Sequence, residues 1–189
     1  MTFSEFCAGC EVSQGSRHPT GGALHLPGGW VVNQYGGSEG WLGWLALQPA
    51  SHRMSLSELS AQEAQTLGPN IQTLDRAVTA FWQTTYPRDP VVRVYIVYFF
   101  ESAFQVPQEP TPYHLHIHLI PRFQSLNAPN GLQRSDGKTT WADGWRVPTL
   151  RERGAVPLHY LRGSADWERR VASLMGCIRD AFVSTPHLL

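Results

Sequence analysis

What the chain lacks narrows it first. There is no excess of charge: Lys and Arg number 15 and Asp and Glu 15, for a formal net charge of +0. Without a basic surplus no long-range field gathers nucleic acid or an anionic membrane surface. That speaks against a general nucleic-acid binder and leaves room for a small anionic ligand held locally. Hydrophobic residues make up 42% of the chain, yet no run of about 18 apolar residues occurs, so no membrane span is expected. Met1-Thr2-Phe3-Ser4-Glu5 has neither a basic region nor an apolar stretch behind it, and we read no signal peptide there. Cysteine is scarce. Cys7, Cys10 and Cys177, an odd set with one close pair, do not resemble the disulfide framework of a secreted domain, so the default is a cytoplasmic protein. The glycine-rich stretches 13–29 and 36–40 contain no G-x4-G-K-[S/T] sequence, which leaves a P-loop unsupported. Internal repeats and low-complexity tracts are also missing, as is any acidic cluster that would demand magnesium.

What is present suits one domain with an appendage at 189 residues, enough to bury a sizeable core. Residues 13–29, dense in Gly and Pro, read as loop. Trp30–Gln34 and Trp41–Gln48 read as strands joined by a glycine turn, a hairpin. Ser60 with Glu63 forms a capping box, and Leu67, Ile71, Leu74, Val78 and Phe81 then recur at helical spacing. Gly68-Pro69 is expected to kink or split that helix. Residues 91–100 are the strongest strand by β-branched and aromatic content. A three-proline loop follows, then a strand over Tyr113–Pro121 that should lie antiparallel to its predecessor. From Gln124 to Gly163 the chain is polar and irregular, with Trp141, Trp145, His159 and Tyr160 standing out; a connection this long is usually functional or docked on a partner. Asp166 is placed to cap a last helix bearing Trp167, Val171, Leu174, Ile178 and Phe182 on one face. The expected class is α+β: an antiparallel meander with one long helix packed on it over residues 1–123, and an irregular C-terminal extension over 124–189 ending in a helix.

Three of the eight histidines fall at alternate positions in His114-Leu115-His116-Ile117-His118. On a strand these share one face, neighbours roughly 6–7 Å apart, with Leu115, Ile117 and Leu119 turned to the core. Imidazole is at once nucleophile, proton carrier and metal ligand near neutral pH. The residues alone leave open catalysis, a three-histidine metal site, or a row with no task. Cys7 and Cys10 in a C-x2-C turn make half a zinc site or a pair of buried thiols. His18, His25, His159 and His187 read as ordinary surface or loop residues.

His114-Leu115-His116-Ile117-His118-Leu119-Ile120 resembles, position for position, the H-φ-H-φ-H-φ-φ motif (φ apolar) of the histidine triad family of nucleotide hydrolases and transferases. The likeness extends to Val32-Asn33, to Gly43–Pro49, and to Ser51-His52, Leu56, Leu59, Ser60 and Glu63, so that it spans roughly residues 6–122. The resemblance implies that His116 is the nucleophile that forms a nucleotidyl-histidine intermediate, with His118 on the phosphate oxygens or the leaving group. It implies ribose contact at Asn33, a hydroxyl near the phosphate from Thr111, and one structural zinc on Cys7, Cys10, His52 and His114. Arg122 is a weaker charge-stabilising candidate. The chain departs from the family at Glu109-Pro110-Thr111-Pro112-Tyr113, where a Gln followed by Ser or Thr is usual, and this bears on leaving-group recognition. The activity implied is hydrolysis of a dinucleoside polyphosphate or a related nucleoside phosphate derivative. Alternatives are a phosphoramidase, a nucleotidyltransferase (related uridylyltransferases carry Gln where His118 stands), or a low-activity nucleotide-binding module working through a partner. Members are commonly homodimers.

Overall fold

The computed structural model describes residues 7–36, 40–98, 113–127, 160–164 and 166–184. Thr111, Trp141, Trp145, His159 and His187 lie outside these residues, as does the stretch 99–112 expected to finish a strand and form a loop. A five-stranded antiparallel sheet runs in the order β1-β2-β3-β5-β4. Its strands are β1 (Ala23–Leu26), β2 (Trp30–Gln34), β3 (Leu45–Pro49), β4 (Val91–Tyr98) and β5 (Ile117–Phe123). The first three form a meander. β5 then enters between β3 and β4, so the histidine-bearing strand is central rather than at an edge. Among the described residues the α-helices are α1 (Ala8–Gln14), α2 (Ala61–Thr85) and α3 (Trp167–Val183). No helix among the described residues is long and apolar enough to cross a membrane.

Several local expectations are corrected. The stretch 13–29 is not all loop: it holds the end of α1 and the short strand β1, which pairs residue by residue with β2. The glycines that obscured the strand bracket it; Gly21, Gly22, Gly28 and Gly29 all have positive φ, the turn conformation open to glycine. The second strand begins at Leu45 rather than Trp41. Trp41–Trp44 instead form a turn in which Gly43 has φ 82° and Trp82 stands where a β-carbon would go. Gln34 holds that turn, its side chain accepting from Gly43 N and donating to the carbonyls of Trp41 and Trp44.

Pro69 does not split α2, which runs unbroken for 25 residues. Pro69 has no N–H to give the helical ladder, but the helix is pinned on both sides of it. The Ser60–Glu63 capping box closes its start, Trp30 Nε1–H donates to Glu63 O, and Asn70 Nδ2 donates to Pro27 O. The expected stripe is real at Leu74, Val78 and Phe81, joined by Ala77 and Trp82, while Leu67 and Ile71 are half-buried. α3 packs against α2, and Trp167, Val171, Leu174 and Ile178 share the same hydrophobic core. Asp166 stands at its N-cap but does not cap by side chain. It is left-handed (φ 64°), and its carboxylate pairs with Arg169 at 2.8 Å.

Tyr160 ties the C-terminal segment into the sheet. Its ring lies 4.6 Å from that of Phe123 and 5.5 Å from that of Trp82, and its hydroxyl donates to Asp89 at 2.9 Å.

Candidate active site and metal centre

The run around the histidines is not one strand. β5 starts at Ile117, and residues 113–116 lead into it without ladder pairing. Leu115, Ile117 and Leu119 are buried as expected. The three imidazoles, however, go to three different environments.

His114 goes to the cysteines. Cys7 is the N-cap of α1 and Cys10 lies one turn on, so both sulfurs share a side of the helix. Leu115 N donates to Arg53 O at 2.7 Å, which clamps the loop after β3 to the approach to β5 and sets His52 beside His114, ring centres 5.3 Å apart. His114 Nε2–H donates to Pro49 O at 2.9 Å, so in the neutral ring Nδ1 carries the lone pair. That nitrogen lies 3.2 Å from Cys7 Sγ and 3.6 Å from Cys10 Sγ, while His52 Nδ1 lies 3.4 Å from Cys10 Sγ. All four donor atoms fall within 4.8 Å of one another. A tetrahedral zinc with bonds of about 2.3 Å to sulfur and about 2.05 Å to nitrogen needs S···N separations of about 3.6 Å. The cluster fits. Burial, with Cys7 beside it, pushes the Cys10 thiol up to about 11, and burial pushes the His114 imidazole down. Two buried thiolates are costly together unless a divalent cation sits between them. This is a Cys2His2 metal site with the donor set of structural zinc, and the Nε2–H···O=C bond from His114 to Pro49 is the orienting contact such ligands use.

Gly9, between the cysteines, was not foreseen, although a small residue inside C-x2-C was the available signal. It lies flat on the His114 ring: a β-carbon there would sit 2.5 Å from Cγ. Gly9→Ala should displace His114 at an overpacking cost of about 1–3 kcal/mol. In a chain this size that is a fall in melting temperature of roughly 2–12 °C. Differential scanning fluorimetry and metal analysis check it; unchanged melting and metal content would contradict the contact.

His116 is half-buried and lines a cavity of about 550 Å³, as do Asn33, Gln48, His18, Arg162 and Trp167. Its Nδ1–H donates to the backbone carbonyl of His114 at 2.8 Å. The bond fixes the tautomer and leaves the lone pair on Nε2, the state a nucleophile or a base needs. The residue that would hold the metal through its ring therefore also orients, through its carbonyl, the ring two positions on.

His118 is buried within the sheet, opposite Ala46 on β3 and Val97 on β4. Trp44 Nε1–H donates to its Nδ1 at 2.8 Å, so the neutral ring bears its proton on Nε2. Its ring meets those of His116 and Tyr35 edge-on, with centres 4.7 Å and 4.9 Å apart. His118 is not among the cavity-lining residues and stands against His116 instead. The tryptophan that sets its tautomer gives no sign in the sequence, because the pairing spans 74 positions.

Asn33 lines the cavity and donates through Nδ2 to Gln34 O at 2.9 Å. Arg122 is not brought to the cavity; it donates to the hydroxyl of Tyr95 on β4. Cys177 is half-buried against α2, its thiol 3.7 Å from Ala77 O.

Sheet order, the triad run and the Cys2His2 cluster together define the fold of histidine triad proteins, and comparison with solved structures finds that fold. A zinc-bound histidine triad family protein from Mycobacterium smegmatis superposes with TM-score 0.52 at 14% identity, over 96% of this chain and 99% of the other. A hypothetical histidine triad nucleotide-binding protein from Sulfolobus tokodaii gives TM-score 0.52 at 13% identity, over 95% and 93%. A uridylyltransferase gives TM-score 0.50 at 18% identity, over 93% of this chain and 46% of that one. At these identities the likeness is one of fold. No family model matches the sequence, and no curated protein matches it.

Proposed function

We propose that this chain is a histidine triad enzyme that cleaves a nucleoside phosphate derivative, a dinucleoside polyphosphate in the first instance, through a nucleotidyl-His116 intermediate. The observation that carries the reading is the His116 hydrogen bond: with Nδ1–H engaged by the His114 carbonyl, Nε2 is the basic nitrogen of a ring that lines a cavity. Nε2 attacks the α-phosphorus, a P–N bond forms, and the bridging P–O bond breaks with release of the remaining phosphate chain. Water then attacks phosphorus, and the P–N bond breaks with its electron pair returning to Nε2, so that the ring, still carrying Nδ1–H, leaves neutral. The water's proton passes to solvent as mononucleotide leaves. Splitting one displacement into two easier ones is the gain from covalent catalysis. The contact of His118 with a phosphate oxygen or the leaving group rests on the resemblance, since its ring stands against His116 and does not line the cavity. Ribose contact by Asn33 and a hydroxyl near the phosphate from Thr111 rest on the same resemblance. Cys7, Cys10, His52 and His114 hold one structural zinc, as the M. smegmatis protein's zinc-bound state suggests for this cluster. When bound, the zinc supplies cohesion, joining α1, the loop after β3 and the approach to β5. Val92 and Ile96, exposed on edge strand β4, suit the homodimer common among such proteins.

The uridylyltransferase likeness favours a second reading, in which a phosphate compound replaces water in the second step. The test is incubation with a dinucleoside tetraphosphate, a nucleoside phosphoramidate, and a nucleotide sugar with a sugar-phosphate acceptor. Mononucleotide released from the tetraphosphate is expected. Transfer to the acceptor without release would favour the second reading. No turnover with nucleotide binding intact would contradict both and leave a binding module.

A further inference from the structure

The chain as a whole is neutral, but the cavity beside His116 is not. Its charged lining residues are Arg17 and Arg162, and no carboxylate lines it among the described residues. Two guanidiniums on the wall of a concave site, only Arg17 being paired with a carboxylate among the described residues, concentrate positive potential there.

Arg162 arrives from far along the sequence, on a segment that is firmly anchored. Tyr160 OH donates to Asp89, Leu42 N donates to Tyr160 O at 2.9 Å, and Leu161 forms a β-bridge with Trp41. Gly163 then turns the chain at φ 82° and brings Trp167 to the same cavity. The Arg162 side chain is itself held, Nη1 donating to Gly36 O at 2.7 Å, which uses one of its five N–H donors. Arg17 pairs with Glu11 at 3.6 Å, with the two side chains 58% and 41% exposed. Such a solvent-facing pair is weak and yields readily to a phosphate.

We propose that Arg162, with Arg17, binds the phosphates beyond the one that His116 attacks, so that the C-terminal segment selects substrates carrying a chain of phosphates over those carrying one. The guanidinium fork matches phosphate oxygens two at a time, which a lysine does not. The inference deepens the enzymatic reading above and rests on it, while its binding arm can be read separately.

The experiment measures inorganic tripolyphosphate binding by calorimetry for wild type, Arg162→Gln and Arg162→Lys. It also measures kcat and KM on a dinucleoside tetraphosphate and a nucleoside phosphoramidate. Arg162 is exposed, so the variants should fold, and thermal melting checks that they do. The glutamine variant should lose tripolyphosphate affinity by roughly tenfold or more, with partial recovery in the lysine variant. Its KM for the tetraphosphate should rise by a similar factor, with kcat and all phosphoramidate kinetics within about twofold of wild type. Arg162-dependent tripolyphosphate binding in a protein that turns over neither substrate would support this inference while removing the enzymatic reading. Equal binding by wild type and Arg162→Gln, no binding by wild type, or equal losses on both substrates would overturn it.

Discussion

His116→Ala should abolish turnover, by at least ~10³-fold in kcat on whichever substrate the wild type cleaves, since loss of a covalent nucleophile leaves only binding and positioning. The same variant should fold and bind nucleotide within a few-fold of wild type. The reason is in the contacts: His116 is half-buried, and its ring's hydrogen bond is to a carbonyl at the edge of the cavity rather than to the core. Removing the ring leaves the sheet pairing of β5 with β3 and β4 untouched, because that pairing begins at Ile117. Steady-state kinetics with equilibrium binding on the same preparation checks both halves. Turnover within tenfold of wild type would remove His116 from its role.

The second large effect concerns the metal. Protein purified without added metal should carry about one zinc per chain, measured by inductively coupled plasma mass spectrometry. Cys10→Ser should reduce that to a small fraction. Structural zinc contributes to folding outright, so a loss of about 3–5 kcal/mol, seen as a melting temperature lower by roughly 6–20 °C, is expected. Turnover should fall too, by about 10–100-fold, although Cys10 is remote from the reacting phosphorus in the proposed mechanism. The route is through His114, which is both a ligand and the owner of the carbonyl that accepts the His116 Nδ1–H. Absence of zinc in the wild type would return Cys7 and Cys10 to a pair of buried thiols. Normal turnover in the zinc-free variant would break the link between the two sites.

Local chemistry was legible in the sequence wherever it is carried by neighbours in the chain. The capping box of α2, the apolar stripe behind it and the helical face of α3 each depend on residues a few positions apart, and each is present. β2 and β3 do pair antiparallel, but with the second strand starting at Leu45. The four metal-site residues could be assembled only through the resemblance, since Cys7 and His114 are 107 positions apart. β1 was hidden because the glycines that make its turns dominate the composition around it. Pro69 misled because local propensity is overridden when Trp30 and Asn70 fasten the helix on both sides. The tautomers of His116 and His118 were not legible in the sequence: one is set by the His114 carbonyl two residues back, a contact that an ideal strand would not make, the other by an indole 74 positions away. Arg162 was invisible for the same reason, being delivered to the cavity by Tyr160 and its bond to Asp89.

The central claim is a bond between His116 and phosphorus, and the most direct measurement is to catch it. A single-turnover reaction, quenched in alkali where phosphoramidates survive and mapped by peptide mass spectrometry, should show one nucleoside monophosphate on the peptide containing His116. That adduct should appear and decay at rates consistent with turnover and be missing in His116→Ala. Turnover without any adduct, or with an adduct on another residue, would contradict the account.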